Sequence, residues 1–187
     1  MNLLLVGAGG HARPVAEAAH NNGHTVVACA AKDRPDWLDV PVFGDDDPLP
    51  DTIPGFAMGL GGVDSEGLQR RLDLFRRYVA RSLSPVALLH SRAFAAADVD
   101  IADGVTVLAG ALVNAGASLG EAAIVNTGAV VEHDAIVEAG AHVAPGAIVL
   151  GAAQIGSCAM IGAGAVVLPG ASVPAATLVP ALTRYPR

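Results

Sequence analysis

Residues 97–180 decide the fold, because they read in one unbroken period of six: ADVDIA, DGVTVL, AGALVN, AGASLG, EAAIVN, TGAVVE, HDAIVE, AGAHVA, PGAIVL, GAAQIG, SCAMIG, AGAVVL, PGASVP, AATLVP. The fifth place is aliphatic in all fourteen blocks, and the third place is alanine in eleven of them. A helix repeats every 3.6 residues and a strand every two, so neither explains this period. The period predicts a parallel β-helix. Each block forms one face of a triangular coil, and three blocks a coil give nearly five coils.

The first ninety residues follow a different pattern, in which short buried strands alternate with helices. Strands are expected at Leu3 to Val6, Thr25 to Cys29 and Phe56 to Met58, and helices at 12–21 and 64–81, the second with Leu68, Leu72, Leu74, Phe75 and Val79 as its apolar stripe. This alternation predicts a small parallel sheet of Rossmann type. We therefore expect two domains, 1–90 and 91–187.

Composition and charge exclude several classes of protein. The net charge is −7 and no basic tract stands out, so nucleic acid is not an expected partner. The arginines at 70, 71, 76, 77 and 81 are interpreted as the solvated face of a helix, with nucleotide binding as the alternative. Two distant cysteines, Cys29 and Cys158, fit a reduced cytoplasmic protein. No signal peptide or integral membrane segment is expected.

Two further stretches of the sequence resemble motifs of a known protein family. The turn Gly7-Ala8-Gly9-Gly10-His11 follows the first strand, and Val125-Asn126-Thr127-Gly128-Ala129-Val130-Val131-Glu132-His133-Asp134 lies in the repeat, with His142 nine residues after His133. With the hexapeptide repeat, these motifs resemble the NeuD/PglD-type bacterial sugar acetyltransferases from end to end. The resemblance implies a left-handed coil, a homotrimer with active sites between subunits, and transfer of an acetyl group from acetyl-CoA to a nucleotide-linked sugar without a metal.

His133 is the candidate general base. It occupies the first place of its block, which is a corner of the coil rather than the interior, and a histidine between aliphatic stacks would be costly without a partner. Imidazole titrates near neutral pH and suits removal of a proton from an amine or a hydroxyl. Asp134 follows directly, and the resemblance implies that it strengthens His133 as a base. The competing interpretation is a solvated surface pair.

The resemblance also implies the acetyl-CoA contacts. His142 occupies the fourth place of its block, where exposed residues such as Ser118 and Gln154 also stand, and it is expected to contact the thioester. Ala163 and Ala181 are expected to line the pantetheine arm through their backbone. A plain surface histidine is the alternative for His142.

The N-terminal turn fits two interpretations. Gly7-x-Gly9-x-x-Ala12 after a strand resembles a dinucleotide fingerprint, whose amides cradle phosphate. A dehydrogenase would also have an acidic residue at the end of the second strand, where this chain has Ala30-Ala31. The resemblance implies instead that Gly9, Gly10, His11 and Gly61 hold the nucleotide sugar, although the family often has aspartates where Ala30-Ala31 stand.

The expected reaction is N-acetylation of a UDP-4-amino-4,6-dideoxy sugar, and three alternatives stay open. The first is O-acetylation of a sialic-acid-type sugar. The second is a γ-type carbonic anhydrase, which needs three histidines around zinc, whereas the region from Ser91 to Glu132 contains none. The third is a nucleotide-sugar-binding protein without enzymatic activity.

Overall fold

The computed structural model describes residues 1–186, and its first part is a five-stranded parallel sheet with two helices. The elements are β1 (Asn2–Val6), α1 (Ala12–Asn21), β2 (Thr25–Ala30), β3 (Val42–Phe43), β4 (Gly55–Met58), α2 (Ser65–Ala80) and β5 (Ser84–Pro85). The spatial order is β3-β2-β1-β4-β5. The chain therefore changes direction in the sheet between β1 and β4, and such a reversal opens a crevice at the carboxyl ends of the strands.

Helix α2 begins at a good N-cap and buries more than its aliphatic residues. The Asp64 side chain accepts a hydrogen bond of 2.7 Å from the Gly67 amide. The buried stripe comprises Leu68, Arg71, Leu72, Phe75 and Tyr78. The expected stripe was wrong at Val79, which is 40% exposed. The interpretation of all five arginines as a solvated face was wrong at Arg71, which is 2% exposed.

The remainder of the described chain forms a three-sided prism of two-residue strands. They are β6 (Leu88–Leu89), β7 (Phe94–Ala95), β8 (Asp100–Ile101), β9 (Thr106–Val107), β10 (Leu112–Val113), β11 (Ser118–Leu119), β12 (Ile124–Val125), β13 (Val130–Val131), β14 (Ile136–Val137), β15 (His142–Val143), β16 (Ile148–Val149), β17 (Gln154–Ile155), β18 (Met160–Ile161), β19 (Val166–Val167), β20 (Ser172–Val173), β21 (Leu178–Val179) and β22 (Arg184–Tyr185). All ladders between them are parallel, as in Val125 with Val143. These stacked strands fit a left-handed β-helix.

Each strand lies in one of three faces. The covered face has the order β21-β18-β15-β12-β9-β6, the apolar face β22-β19-β16-β13-β10-β7, and the polar face β20-β17-β14-β11-β8. The aliphatic fifth places fill the interior, where Val125, Val131 and Val137 are fully buried. Ile101 is 36% exposed because β8 is the edge strand of the polar face.

The prism extends beyond the repeat read from the sequence. Strands β6 and β7 precede residue 97, and β22 follows residue 180. Ala95 and Tyr185 occupy the fifth place in β7 and β22, where the pattern of large aliphatic residues is interrupted, whereas β6 keeps Leu89 at that place. The change from the N-terminal sheet to the prism falls between Pro85 and Leu88.

The N-terminal part packs against the covered face. Outward side chains there are buried, including Leu88 at 2%, Ile124 at 0% and His142 at 5% exposure. Glycines in the turns allow the close approach of α2: a Cβ at Gly104 would lie 2.2 Å from the Phe75 ring, and one at Gly140 would lie 3.2 Å from Leu72. The prism and the N-terminal part therefore share one buried interface, the seam, between the covered face and the elements that pack on it.

Candidate functional site

His133 and Asp134 lie in the turn between β13 and β14, at the corner where the apolar and polar faces meet. The Nδ1 of His133 lies 2.9 Å from Oδ2 of Asp134. The two side chains are 64% and 68% exposed. Asp134 adopts a φ of 58°, a left-handed conformation that glycine takes at many other turns of the prism and that Asp tolerates better than most residues. The prediction that His133 stands at a corner of the coil rather than in its interior is confirmed.

Two glycines that sequence reasoning missed make room for this pair. A Cβ at Gly151, in the next coil, would lie 2.6 Å from Nε2 of His133. A Cβ at Gly116, in the preceding coil, would lie 2.6 Å from an oxygen of Asp134. A signal existed in the repeat, because Gly151 is the single glycine at the first place of the fourteen blocks and stands eighteen residues after His133.

The contact with Asp134 sets the protonation of His133. A carboxylate accepts a hydrogen bond, so the neutral ring carries its hydrogen on Nδ1 and keeps a lone pair on Nε2. The hydrogen bond to Asp134 raises the pKa of His133, and Glu132 adds a smaller effect in the same direction. The result is a proton acceptor whose free nitrogen faces outward beside Gly151.

The N-terminal turn joins the end of β1 to the start of α1. Gly9 and Gly10 are exposed, and a Cβ at either would meet nothing within 4 Å. A cavity of about 350 Å³ opens beside the turn at the carboxyl ends of β1, β2 and β3. Its lining residues include Gly7, Ala31, Leu60, Lys32 and Asp45, the last two being its charged residues. This crevice and the exposed amides of the turn suit a phosphorylated ligand.

His11 and His142 meet in the seam rather than at the surface. Their ring centroids lie 6.2 Å apart. Burial lowers the pKa of each to about 4; Arg71 also lowers both values, and His142 lowers that of His11. Nε2 of His11 is buried without a hydrogen-bond partner among the described residues. Gly61 belongs to this group, since a Cβ there would lie 3.3 Å from Cγ of His11.

The expectation that His142 stands on an exposed face was wrong, because the N-terminal part covers that face. Its Nδ1 lies 2.8 Å from the carbonyl oxygen of Gly62, and its Nε2 lies 3.0 Å from the side-chain nitrogen of Asn126. Both ring nitrogens are therefore engaged within the chain. The fourth place of the repeat points outward, as predicted, but what lies outside it differs from face to face.

Ala163 and Ala181 stack on one another at the corner between the covered and apolar faces. Both are exposed, and the amide of Leu182 donates a 2.9 Å hydrogen bond to the Ala163 carbonyl. The structure thus groups the predicted residues at three places: His133 with Asp134, the N-terminal turn with Gly61 and His142, and the two alanines. In a triangular prism the corner of His133 lies opposite the covered face of His142, so one chain does not bring these two histidines together.

The remaining histidine, cysteine and carboxylate side chains are the other candidates for metal ligands or reactive groups. Among residues 1–186 no group of three or more His, Cys, Asp or Glu side chains is arranged to hold a metal ion. His90, the remaining histidine near the prism, is buried 3.5 Å from Glu17 of α1. Cys29 and Cys158 are free and buried. Neither α1 nor α2 has the length and apolar character needed to cross a membrane.

No protein-family profile and no curated protein matches the chain. Solved structures do match along its whole length. Perosamine N-acetyltransferase from Caulobacter crescentus, solved as a histidine-to-asparagine mutant with CoA and GDP-perosamine, is 34% identical, with 100% of this chain and 89% of that chain covered and a TM-score of 0.92. PerB from the same organism, with CoA and GDP-perosamine, is 35% identical over the same shares with a TM-score of 0.91. The acetyltransferase domain of PglB from Neisseria gonorrhoeae is 28% identical, with 98% and 90% covered and a TM-score of 0.89.

Proposed function

Because this chain belongs to the NeuD/PglD-type sugar acetyltransferases, enzymes built on a hexapeptide-repeat left-handed β-helix, we propose that it N-acetylates a nucleotide-linked amino sugar with His133 as general base. The observation that carries the assignment of the base is the free, outward Nε2 of His133, whose other nitrogen is bound to Asp134. Acetyl-CoA is the acetyl donor. The amine acceptor follows the neighbours crystallised with GDP-perosamine.

The chemistry runs in two steps. The neutral sugar amine attacks the thioester carbonyl carbon and forms the N–C bond, and Nε2 of His133 takes the proton that the nitrogen must lose. The tetrahedral intermediate then collapses, the C–S bond breaks, and the sulfur of CoA leaves with the proton returned by His133. Asp134 holds the tautomer with hydrogen on Nδ1 and stabilises the imidazolium formed in between.

The N-terminal part, residues 1–90, is proposed as a Rossmann-like domain that binds the nucleotide sugar, with residues 91–187 as the transferase domain; Arg187 lies outside the described residues. The amides of Gly9 and Gly10 at the start of α1 suit the diphosphate. The cavity beside them suits the nucleoside, with Lys32 and Asp45 as its charged contacts. His11 and Gly61 complete this site. The nucleotide is UDP, as the sequence resemblance suggested, or GDP, as in the structural neighbours.

Acetyl-CoA is proposed to lie along the exposed corner that carries Ala163 and Ala181. Backbone groups in successive turns of this corner repeat at the spacing of the coils, which suits an extended pantetheine arm. His142 was also expected to contact the thioester, but both its nitrogens are engaged within the chain. We therefore leave His142 out of the donor site.

A homotrimer is proposed, since the three groups of site residues are separate within one chain. The apolar face presents an outward row in which Phe94 is 53% and Leu112 is 43% exposed. Val130, Ile148 and Val166 continue the row. Contact between copies through this face would cover the row and allow the His133 corner of one subunit to approach the seam of another. Light scattering that finds a monomer at micromolar concentration contradicts the trimer.

The cytoplasm is the proposed site of action, because Cys29 and Cys158 are free, as is usual for proteins of a reducing compartment. The function is tested by incubating the enzyme with acetyl-CoA and a panel of UDP-, GDP-, dTDP- and CMP-linked sugars, half with an amino group and half with hydroxyls alone. Mass spectrometry should find acetylation of an amino sugar. Acetylation restricted to hydroxyl sugars would replace N- by O-transfer, and no product from any sugar would contradict the assignment.

A further inference from the structure

The loop between β4 and α2, residues 59–64, connects the proposed nucleotide-sugar site to the prism. On one side, a Cβ at Gly7 would lie 2.6 Å from the Leu60 side chain, which lines the cavity. Gly61 lies beneath the ring of His11. On the other side, two of the loop's carbonyl groups accept hydrogen bonds from buried side chains. The loop is therefore the direct link between the ligand site and the elements that carry the repeat.

Arg71 and His142 make those two bonds. Nε of Arg71 donates to the Leu60 carbonyl at 2.7 Å, and Nη1 donates to the carbonyl of Ala122 in a prism turn. Nδ1 of His142, on β15, lies 2.8 Å from the carbonyl oxygen of Gly62. Arg71 thus reaches from α2 to both the loop and the prism, and His142 reaches from the prism to the loop.

The hydrogen-bond partners determine the tautomer of His142. A carbonyl oxygen only accepts, so Nδ1 of His142 carries the hydrogen. The side-chain oxygen of Asn126 accepts from the Thr127 amide at 2.7 Å, so the Asn126 nitrogen faces Nε2 of His142 and donates to it. This leaves His142 without a lone pair for a substrate proton and without a free N–H for a thioester oxygen.

The charge state agrees with this arrangement. His142 is 5% exposed and Arg71 is 2% exposed, and no carboxylate hydrogen-bonds or forms an ion pair with either side chain among residues 1–186. Burial and the Arg71 cation hold the pKa of His142 at about 4. At neutral pH the seam therefore contains one buried cation beside a neutral histidine that donates through Nδ1.

We propose that His142 and Arg71 are positioning residues that clamp the 59–64 loop to the prism and thereby hold the nucleotide-sugar site in place. His142 acts through the carbonyl of Gly62 rather than on acetyl-CoA. The proposal rests on the proposed function for its ligand, but the clamp itself is a property of the chain. It assigns His142 to the acceptor side of the reaction.

Two substitutions at His142 distinguish the role of Nδ1 from that of Nε2. An asparagine places its amide nitrogen near the position of Nδ1 and can keep the bond to Gly62, whereas a glutamine places its amide near Nε2 and cannot. We expect His142→Asn to bind GDP-perosamine within about twofold of the wild type. We expect His142→Gln to bind it about tenfold more weakly, the usual effect of losing one buried hydrogen bond. The KM for acetyl-CoA should stay unchanged in both.

Hydrogen exchange of the ligand-free, full-length protein gives a second readout. Amides of residues 59–64 should exchange faster in His142→Gln than in the wild type, and His142→Asn should resemble the wild type. His20→Gln, at an exposed position of α1, serves as the matched control and should change neither exchange nor binding. Arg71→Met should also speed exchange in the loop, and Arg71→Lys should do so less.

The outcomes distinguish the clamp from the alternatives. The proposal is overturned if the amides of residues 59–64 exchange at the wild-type rate in His142→Gln. It is also overturned if the KM for acetyl-CoA rises while the affinity for GDP-perosamine stays unchanged. If the wild type acetylates no nucleotide sugar, the proposed function is wrong, while the exchange measurement still decides the role of His142. Should Arg71→Met fail to fold, the His142 pair alone decides the clamp.

Discussion

His133 and His142 stand nine residues apart in the same repeat, yet they occupy opposite sides of the prism. The turn that carries His133 is exposed, and the neighbouring Asp134 raises its pKa. The strand that carries His142 is covered by the N-terminal part, and burial lowers its pKa to about 4. In this fold, the chemistry of a histidine therefore follows from the corner or face on which it stands. One is prepared to take a proton and the other to remain neutral.

The largest expected effect is that of His133→Ala. Removing a positioned proton acceptor should reduce kcat by roughly 10²–10⁴-fold, with little change in acetyl-CoA affinity. Steady-state kinetics with an amino-sugar acceptor measures this. A variant with nearly full activity would remove His133 from the mechanism.

Gly151→Ala tests whether the exposed ring depends on its position. The added Cβ would lie 2.6 Å from Nε2 of His133, so the ring must move away. A displacement of about 1 Å commonly reduces the rate on the order of 10²-fold. Activity assays should find this loss at an unchanged melting temperature, because the group that must move is the exposed His133 ring and not the backbone. Equal loss of stability and activity would point to a folding defect instead.

Because His142 is buried in its neutral form, it should make the folded protein less stable in acid. The pKa of His142 is about 4 in the folded protein and 6.5 is its ordinary value, so between these values the unfolded chain binds the extra proton. The free energy of unfolding should therefore fall as the pH drops from about 6.5 to 4, by about 2 kcal/mol at pH 5 for one such histidine.

Urea denaturation at pH 7 and pH 5 measures that loss, and His142→Asn provides the comparison. His11 lies in the same seam and its pKa is also lowered to about 4, so part of the acid sensitivity should survive in the variant. The same pH dependence in wild type and variant would mean that His142 is not held neutral by the seam.

The smallest expected effect is that of Asp134→Asn. Asparagine accepts the left-handed backbone at this turn and keeps a hydrogen bond to His133, but the charge is lost. The rate should fall about tenfold, less than in His133→Ala. Because Asp134 raises the pKa of His133, the inflection of the pH–rate profile should move to lower pH. An unmoved inflection would assign it to the amine of the sugar.

The repeat made the prism predictable because its period depends on local sequence alone. It also placed His133 at a corner and His142 on an outward face. It could not reveal that the covered face is buried, since that depends on how a separate part of the chain docks. Arg71 was accessible in principle: it stands three residues after Leu68 and one before Leu72, within the helical stripe that packs against the prism. Because arginine is charged, Arg71 was instead expected on the solvated face of the helix.

The coil-by-coil stacking has a consequence for how such chains can change length. Each strand pairs with the strand eighteen residues away, as Val125 does with Val143, so within the prism a coil pairs only with the coils next to it. Insertion or removal of three blocks therefore lengthens or shortens the prism by one coil and keeps every later residue on the same face or corner. Loss of a single block would rotate all later residues by a third of a turn. Deleting one block between His133 and Ala163 would then carry both alanines to a different corner, although every block still matched the repeat.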